Sequence, residues 1–383
     1  MPGAGHAHPM LSVASALRAR GHQVTFGSGS EHAEEAARAG VDFVAFPVRE
    51  GSPVHALRPH EDAMRFAEHF SPVIRSLAPD VAVVDVVTVG AALACEVAGV
   101  PFATLSIHPL HMPSRDLPPF GWGAPPGKGL GRLRDAWMRR GNMRDLVAAR
   151  TAFNEARGAL GLPPTERIEG HLSPDCILVA TLPCLEVPRS DWPPHAYVVG
   201  PCLWNAGGDH PEPPKGDGPL VLIAASTAIE QGALVRASLE AVEAVGARAI
   251  LTTGKSAPPP RVPEHVVVSP FADHDAVMPA CDVVICNGGH GVMARALTHG
   301  VPVIVVPGGG DQRENGYRVE RARAGMRIMR PRAGAIAYAI RSIVTNPEYG
   351  RGARRAAQQA AAIDGPARAA ELVEALGARA PAN

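Results

Sequence analysis

The feature that most limits how this chain can fold is a repeated alternation of short β-branched, apolar runs with segments of helical periodicity. Residues 23–26 form such a run, and the preceding residues 10–20 carry apolar side chains at helical spacing and end at Gly21. The same half of the chain continues with predicted helices at 31–38, 63–77 and 90–98 and predicted strands at 81–84 and 102–106. Strands and helices that alternate in this way are typical of a parallel sheet with helices on both faces.

The alternation restarts after a polar, Pro/Gly-rich tract at residues 204–218, whose composition is typical of an interdomain linker. A chain of 383 residues is long enough for two domains. The later predicted strands are 220–224, 249–252, 266–268, 283–286 and 303–306, and the later helices are 233–244, 275–280 and 292–298. We therefore predict an α/β protein with an N-terminal domain at 1–203 and a C-terminal domain at 219–383. One option for the last helix is to pack back on the N-terminal domain.

Composition excludes several classes of function. Lys+Arg and Asp+Glu are equal at 37 each, so no net charge draws the chain to nucleic acid or to an anionic membrane. The six cysteines form no C-x-x-C pair, and no apolar run reaches the roughly 18 residues that span a bilayer. The first residues lack a signal-peptide pattern. We expect a cytoplasmic protein that binds no nucleic acid and does not span a membrane.

The strongest local signal lies between Cys281 and Gln312. The segment 283–292 reads Val-Val-Ile-Cys-Asn-Gly-Gly-His-Gly-Val, an apolar strand that runs into glycines at the start of a helix. Unpaired N–H groups and the helix dipole at such a turn favour an anion, and glycine lets a ligand approach the backbone. Taken alone, the segment is equally compatible with a strand-to-helix turn that binds nothing.

The residues after this turn extend the signal. They are Gly288-Gly-His-Gly291, Ala296-Leu297, Gly300-Val-Pro302, Pro307, Asp311-Gln312 and Asn315. This order resembles the donor-binding signature of nucleotide-sugar glycosyltransferases of the GT-B fold, in which two Rossmann-like, doubly wound domains face a central cleft. The overall pattern looks like the bacterial members that glycosylate natural products such as macrolide antibiotics and other polyketides.

The resemblance implies a set of donor-binding residues. The amides of residues 289–292 would hold the diphosphate, and Asp311 and Gln312 would bond the sugar hydroxyls. Phe271 would stack on the base or else belong to the core, and residues 225–227 resemble a donor-binding turn that lacks its usual glycine. The full set is Ser226, Thr227, Phe271, Asn287, Gly288, Gly289, His290, Gly291, Val292, Asp311 and Gln312.

Three positions depart from the family pattern. Asn287 stands in place of a histidine, and Val292 replaces a threonine or serine. Arg295 occupies the position where the family often has a ribose-binding glutamate, and two roles remain open for it: bonding a phosphate or facing solvent. These changes alter the contacts expected for the ribose of the donor.

The segment Gly3-Ala-Gly-His-Ala-His-Pro9 looks like the G-H-x-x-P segment of the family, and its matching histidine is His6. As a general base, His6 would take the proton of an acceptor hydroxyl in an inverting transfer. Asp85 resembles the acidic partner of this histidine, with a helix N-cap as its alternative role. The Pro/Gly-rich segment 113–131 is a long loop that could shape the acceptor pocket.

No cofactor follows from these motifs, because the nucleotide-diphosphate sugar is itself a co-substrate and the family works without a metal. The pairs His6/His8 and His108/His111 have no carboxylate or cysteine at ligand spacing. The expected partners are therefore a TDP- or UDP-linked sugar and a small hydrophobic acceptor. The sequence leaves open whether the protein is a homodimer.

Two rival functions were considered. A nicotinamide dehydrogenase fails, because His8 occupies the third glycine position of the fingerprint and no acidic residue follows the second strand. A non-catalytic GT-B homologue that assists another transferase stays open, since Asn287, Val292 and Arg295 all erode the donor motif.

The family begins with a short apolar strand before the G-H segment, whereas this sequence begins at Met1 within the loop after that strand. A central slot left open in a parallel sheet would leave backbone groups unpaired. We expect the natural product to begin several residues upstream, or another segment to fill the slot.

Overall fold

The structure is a computed structural model that describes residues 3–46, 63–225, 232–254 and 256–379. Every strand pairing in it is parallel, and the strands fall into one group before the linker and one after it. Within the described ranges, no helix is both long enough and apolar enough to cross a bilayer. The predicted α/β class with two doubly wound domains is confirmed.

The strands before the linker form two sheets. β1 (Thr25–Ser28) pairs with β2 (Asp42–Ala45), while a separate sheet has the order β3-β4-β5-β6. Its strands are β3 (Ala82–Asp85), β4 (Phe102–Ser106), β5 (Ile177–Val179) and β6 (Ala196–Val198). β1 and β3 each keep one edge without a strand partner among the residues that the structure describes. The expectation of a further strand in this half stays a prediction.

The helices of this half are α1 (Ala4–Ala19), α2 (Ala33–Arg38), α3 (Ala63–Leu77), α4 (Val89–Ala98) and α5 (Gly131–Ala159). α1 begins at Ala4 rather than at residue 10 and therefore contains His6 and Pro9. Apolar periodicity detects only the part of a helix that packs on the core, so it missed the polar first turns. This extension places His6 at the N-terminal end of a helix.

The strands after the linker form one six-stranded sheet with the order β12-β11-β10-β7-β8-β9. They are β7 (Leu220–Ala224), β8 (Arg248–Thr252), β9 (Val266–Ser269), β10 (Val283–Cys286), β11 (Val303–Val305) and β12 (Gly325–Arg327). The central strands β7 and β10 are wholly buried, as expected for runs without polar residues. The strand order reverses between β7 and β10, and ligands of open α/β sheets bind at the carboxyl ends of the strands at such a reversal.

The remaining helices are α6 (Gly232–Ala244), α7 (His274–Val277), α8 (His290–Thr298), α9 (Gln312–Arg321), α10 (Ala333–Thr345), α11 (Pro347–Ala361) and α12 (Gly365–Gly377). α12 packs on α1, where Ala369 and Val373 join a core cluster with Val13 of α1. Arg20 and Glu374 also bond across this contact, with N–O distances of 2.6 and 2.7 Å. The C-terminal helix thus ties the end of the chain to its first helix.

Candidate active site

His6 and Asp85 form a hydrogen-bonded pair, although 79 residues separate them in the sequence. His6 Nδ1 lies 2.8 Å from Asp85 Oδ2. The pair forms because α1 begins beside the carboxyl end of β3, where Asp85 is the last residue. With Nδ1 donating to Asp85, Nε2 keeps its lone pair and can accept a proton.

Asp85 is a buried carboxylate with a second hydrogen bond. Its Oδ1 accepts the N–H of Val87 at 3.1 Å. The alternative that Asp85 caps a helix is wrong, because the N-cap of α4 is Thr88. Asp85 therefore stabilises the turn after β3 with one oxygen and orients His6 with the other.

Burial and charge oppose each other in this pair. Burial alone would lower the pKa of His6, but the charge of Asp85 and its hydrogen bond outweigh burial and raise that pKa above 6.5. Burial would raise the pKa of Asp85, but His6 outweighs it and lowers that pKa. The charge of Asp311 also contributes to the raised pKa of His6, so the predicted sugar-binding acid is close enough to the predicted base to interact with it electrostatically.

This pair predicts the pH dependence of turnover. His6 is a base only when neutral, so we expect kcat/KM to rise with pH through a midpoint above 6.5. In Asp85→Asn, the main opposition to burial of His6 is lost, and the midpoint should move to lower pH while the rate falls by about 10²-fold. Asp80→Asn, an exposed carboxylate nearby, serves as the control and should leave the midpoint unchanged. A midpoint that stays fixed in Asp85→Asn would contradict the assignment.

The glycine turn between β10 and α8 has the geometry of an anion site. Gly288 has a φ of +87°, and a Cβ there would lie 2.6 Å from Val305 Cγ1. Asn287 Oδ1 accepts the N–H of Gly289 at 3.2 Å. Among the residues that the structure describes, no side chain caps the N-terminus of α8, so its first amides are available to a ligand. In place of the family histidine, Asn287 thus shapes the turn.

Asn315 links the two halves of the predicted donor site. Its Nδ2 donates to Gly288 O at 2.9 Å and to Asp311 Oδ2 at 2.8 Å, and its side chain is fully buried. Asn315 belongs to the donor motif, but the motif by itself assigns it no role. Its signal was the spacing of one helical turn from Asp311, which places both on one face of a helix.

Gln312 and Asp311 use part of their bonding capacity within the protein. Gln312 Oε1 accepts the N–H groups of Gly308 at 2.8 Å and Gly309 at 3.2 Å. Its amide NH₂ and the second oxygen of Asp311 are the groups left to bond sugar hydroxyls. Sugar binding by these two residues stays a prediction, in which Gln312 donates a hydrogen bond and Asp311 accepts one.

The side chain of His290 does not point at the predicted diphosphate. Its Nε2 lies 3.2 Å from Ala180 O at the end of β5, and burial lowers its pKa to about 3. The ring is therefore neutral and packs between the two halves of the chain, which leaves its backbone amide as its means of binding an anion. Val292 packs partly against the core cluster of the second half.

The remaining residues predicted to bind the donor are Phe271, the pair Ser226 and Thr227, and Gly291. Phe271 follows β9 and is 49% exposed, so it does not belong to the core, and stacking on a base remains its predicted role. Ser226 and Thr227 lie outside the described residues. Gly291 is exposed at the start of α8, as an approachable backbone requires.

Arg295 does not face solvent, because its side chain is 13% exposed, and bonding to a phosphate stays a prediction. Its guanidinium forms an ion pair with Asp275 and donates to Trp204 O at 2.7 Å. His299 bonds to the other oxygen of Asp275 at 2.9 Å. Arg295 therefore fixes α8 to α7 and to the linker, and the sequence could not show this because Asp275 is recognisable as a partner only in three dimensions.

The long loop 113–131 lies against the second half of the chain, beside the sugar-binding motif. Gly123 N–H donates to Glu314 Oε2 at 3.0 Å, and Arg327 donates to Gly123 O at 2.6 Å. Arg318, buried in α9, bonds to Glu314 at 2.9 Å and to Glu186 at 3.0 Å. These contacts hold the loop against α9, which begins directly after Asp311.

The histidine pairs singled out in the sequence do not form shared ligand sets. His8 bonds to Glu35 at 2.9 Å, whereas His6 bonds to Asp85. The structure does bring together two groups with metal-ligating atoms within 4.8 Å of one another, His8/His32/Glu35 and His111/Glu169/His171. Neither group contains a predicted catalytic or donor-binding residue, and the expectation of metal-free catalysis stays a prediction.

Comparison with known proteins supports the same assignment. Residues 236–376 match the family model described as erythromycin biosynthesis protein CIII-like, C-terminal domain. The chain is 31% identical to 4'-demethylrebeccamycin synthase of Lentzea aerocolonigenes, and the match covers 98% of this chain and 97% of that protein.

Solved structures share the fold. The kitacinnamycin glycosyltransferase superposes with a TM-score of 0.78 at 22% identity, covering 98% of this chain and 97% of its own. The spinosyn rhamnosyltransferase SpnG complexed with thymidine diphosphate gives a TM-score of 0.70 at 20% identity, with 98% of both chains covered. With a full-length relative above 30% identity and GT-B structures as neighbours, the chain belongs to the natural-product glycosyltransferases of the GT-B fold.

Proposed function

We propose that this glycosyltransferase transfers a sugar, with inversion, from a nucleoside-diphosphate donor to a hydroxyl of a small hydrophobic natural product. The observation that carries the proposal is the His6–Asp85 pair, with Asp311 near enough to act electrostatically on His6. A base on one side and a sugar-binding acid on the other define where the acceptor oxygen and the anomeric carbon meet. A homologue that had lost catalysis would have no need to keep this arrangement.

In the proposed reaction, His6 Nε2 takes the proton of the acceptor hydroxyl as its oxygen attacks the anomeric carbon. The bond from that carbon to the diphosphate oxygen breaks, and the departing charge is stabilised by the first amides of α8. Asp85 holds the imidazole in the reactive tautomer and stabilises the imidazolium. Attack from the side opposite the leaving group gives inversion.

The donor is proposed to carry thymidine or uridine. The neighbour complexed with thymidine diphosphate supports this class of nucleotide. Phe271, exposed after β9, offers a ring for the base, while Arg295, already paired with Asp275, does not replace a ribose-binding glutamate. We therefore expect fewer ribose contacts and greater dependence on the diphosphate and the sugar.

The test is a screen of TDP- and UDP-sugars against macrolide and other polyketide acceptors, with the products examined by mass spectrometry and NMR. An α-linked donor should give a β-linked product, read from the anomeric proton coupling. Retention of configuration would contradict the His6 mechanism. Binding of no donor, together with stimulation of a second transferase, would instead support the auxiliary role left open by the sequence.

Metal removal is a separate prediction. The proposed stabilisation of the diphosphate comes from backbone amides, so turnover should be unchanged after treatment with EDTA and dialysis. As a control, turnover of the EDTA-treated protein is measured again after Mg²⁺ or Mn²⁺ has been added. A loss on chelation that either ion restores would show that the amides are insufficient.

A further inference from the structure

The first half of α5 exposes large apolar side chains that the sugar-transfer site does not use. Leu130, just before the helix, is 85% exposed, Leu133 is 69% exposed and Trp137 is 72% exposed. Arg140 and Arg144 continue the same line at spacings of three and four residues, so all five side chains lie on one side of the helix. We call these five residues the α5 outer face.

The other side of α5 anchors the helix to the protein. Asp135 and Met138 are buried near its start. Near its end, Phe153 is buried and Arg157 bonds to Glu96 at 2.7 Å. The outer face is therefore the outward surface of a fixed helix, and a contiguous exposed apolar group of this size marks an interaction surface.

The charge around this face is strongly positive in a chain whose total charge is balanced. Between residues 128 and 145 six basic residues stand against two acidic ones, Asp135, which is buried and paired with Arg134, and the exposed Asp145. The basic residues of this stretch are Lys128, Arg132, Arg134, Arg139, Arg140 and Arg144. Of these, Lys128, Arg132, Arg140 and Arg144 have no carboxylate within 4.0 Å in the part of the chain that the structure describes. The partner must therefore be anionic.

We propose that the α5 outer face docks on the anionic surface of a lipid membrane. Leu130, Leu133 and Trp137 are strongly exposed at one end of the face, where they can insert into a lipid layer. Trp favours the boundary between headgroups and acyl chains. Arg140 and Arg144, one and two turns further on, would then lie at the level of the lipid phosphates.

Charge argues against a second copy of this chain as the occupant. Two outer faces placed together would bring four arginines, Arg140 and Arg144 from each copy, into one contact without a carboxylate on that face. Like charges at this distance repel, and the cost rises as water is excluded. The inference does not depend on the sugar-transfer proposal, since none of these residues belongs to the predicted active site.

The test is co-sedimentation of the full chain with vesicles of phosphatidylcholine alone and of phosphatidylcholine containing about 30% phosphatidylglycerol. We expect binding to the anionic vesicles only, with a large loss as salt is raised. Binding to the anionic vesicles should weaken by at least about tenfold in each of two double variants, Leu133→Ser/Trp137→Ser and Arg140→Gln/Arg144→Gln. In the unsubstituted chain, brominated lipid should quench tryptophan emission, and Trp137→Ser should remove that quenching.

Matched controls replace exposed residues elsewhere. Tyr338→Ser, 62% exposed, tests nonspecific apolar binding, and Arg330→Gln/Arg332→Gln tests nonspecific charge. All variants should keep the melting temperature of the unsubstituted chain, because every replaced side chain is exposed. The proposal is overturned by equal binding to both vesicle types, by absence of binding, or by a dimer that Trp137→Ser disrupts. Binding of soluble poly-glutamate in place of vesicles would assign the face to an acidic protein and equally overturn it.

Discussion

Replacement of His6 with alanine is expected to lower kcat by about 10³-fold while leaving donor affinity within a factor of about three. The side chain lies in the first turns of α1, bonded to Asp85 at 2.8 Å, and its Nε2 is the proposed base. Without it, the acceptor hydroxyl must lose its proton to water. The measurements are steady-state turnover and calorimetric titration with the donor nucleotide.

His8→Ala is the matched control, since His8 stands on the same helix and pairs with Glu35 instead of Asp85. It should keep most of the activity. The double substitution His6→Ala/Asp85→Asn should be no slower than His6→Ala alone, because Asp85 acts through His6. A further large loss in the double variant would show that Asp85 acts in catalysis by itself.

Replacement of Gly288 with alanine is expected to destabilise the protein by about 2 to 4 kcal/mol and to abolish measurable donor binding. The backbone of Gly288 is left-handed, and a methyl group there would lie 2.6 Å from Val305 Cγ1 and 3.2 Å from Gln312 O. Relief of this overlap would displace the turn that aims the α8 amides. Thermal unfolding gives the stability, and titration with donor nucleotide gives the binding.

Gly291→Ala is the control that distinguishes backbone strain at Gly288 from the mere replacement of a glycine in this turn. A Cβ at Gly291 meets nothing within 4 Å, and its backbone is helical, so the fold should keep its stability. If the amides at the start of α8 bind the diphosphate, this variant should weaken donor binding only modestly. Equal stabilities for the Gly288 and Gly291 variants would contradict the strained turn.

The sequence located the longer buried strands better than the three-residue strands β5, β6 and β12, which it missed. The strands at 102–106, 220–224 and 283–286 are correct at both ends, because runs buried on both faces contain no charged residues. β12 was missed, because it has three residues at the edge of a sheet and includes Gly325 and Arg327. α1 was predicted too short, because its first turns carry histidines and a proline instead of apolar side chains.

At the site, the sequence supplied the residue types and their order along the chain. The strand-glycine-helix pattern before Val292 and the Asp311-Gln312 pair are local features, and the fold class follows from the alternation of elements. A pattern of this kind states which groups are present near one another in the chain. It predicted the donor region and proposed His6 and Asp85 as partners by resemblance.

Only the tertiary structure decided how these groups are used. It turned His290 toward Ala180, paired Arg295 with Asp275, and joined Gly288 to Asp311 through Asn315. It also left the α5 outer face uncovered. The physical reason is that a hydrogen bond, an ion pair or a buried surface depends on distances between segments far apart in sequence. Local patterns fix the elements and their chemistry, whereas the packing of the elements fixes which side chains meet.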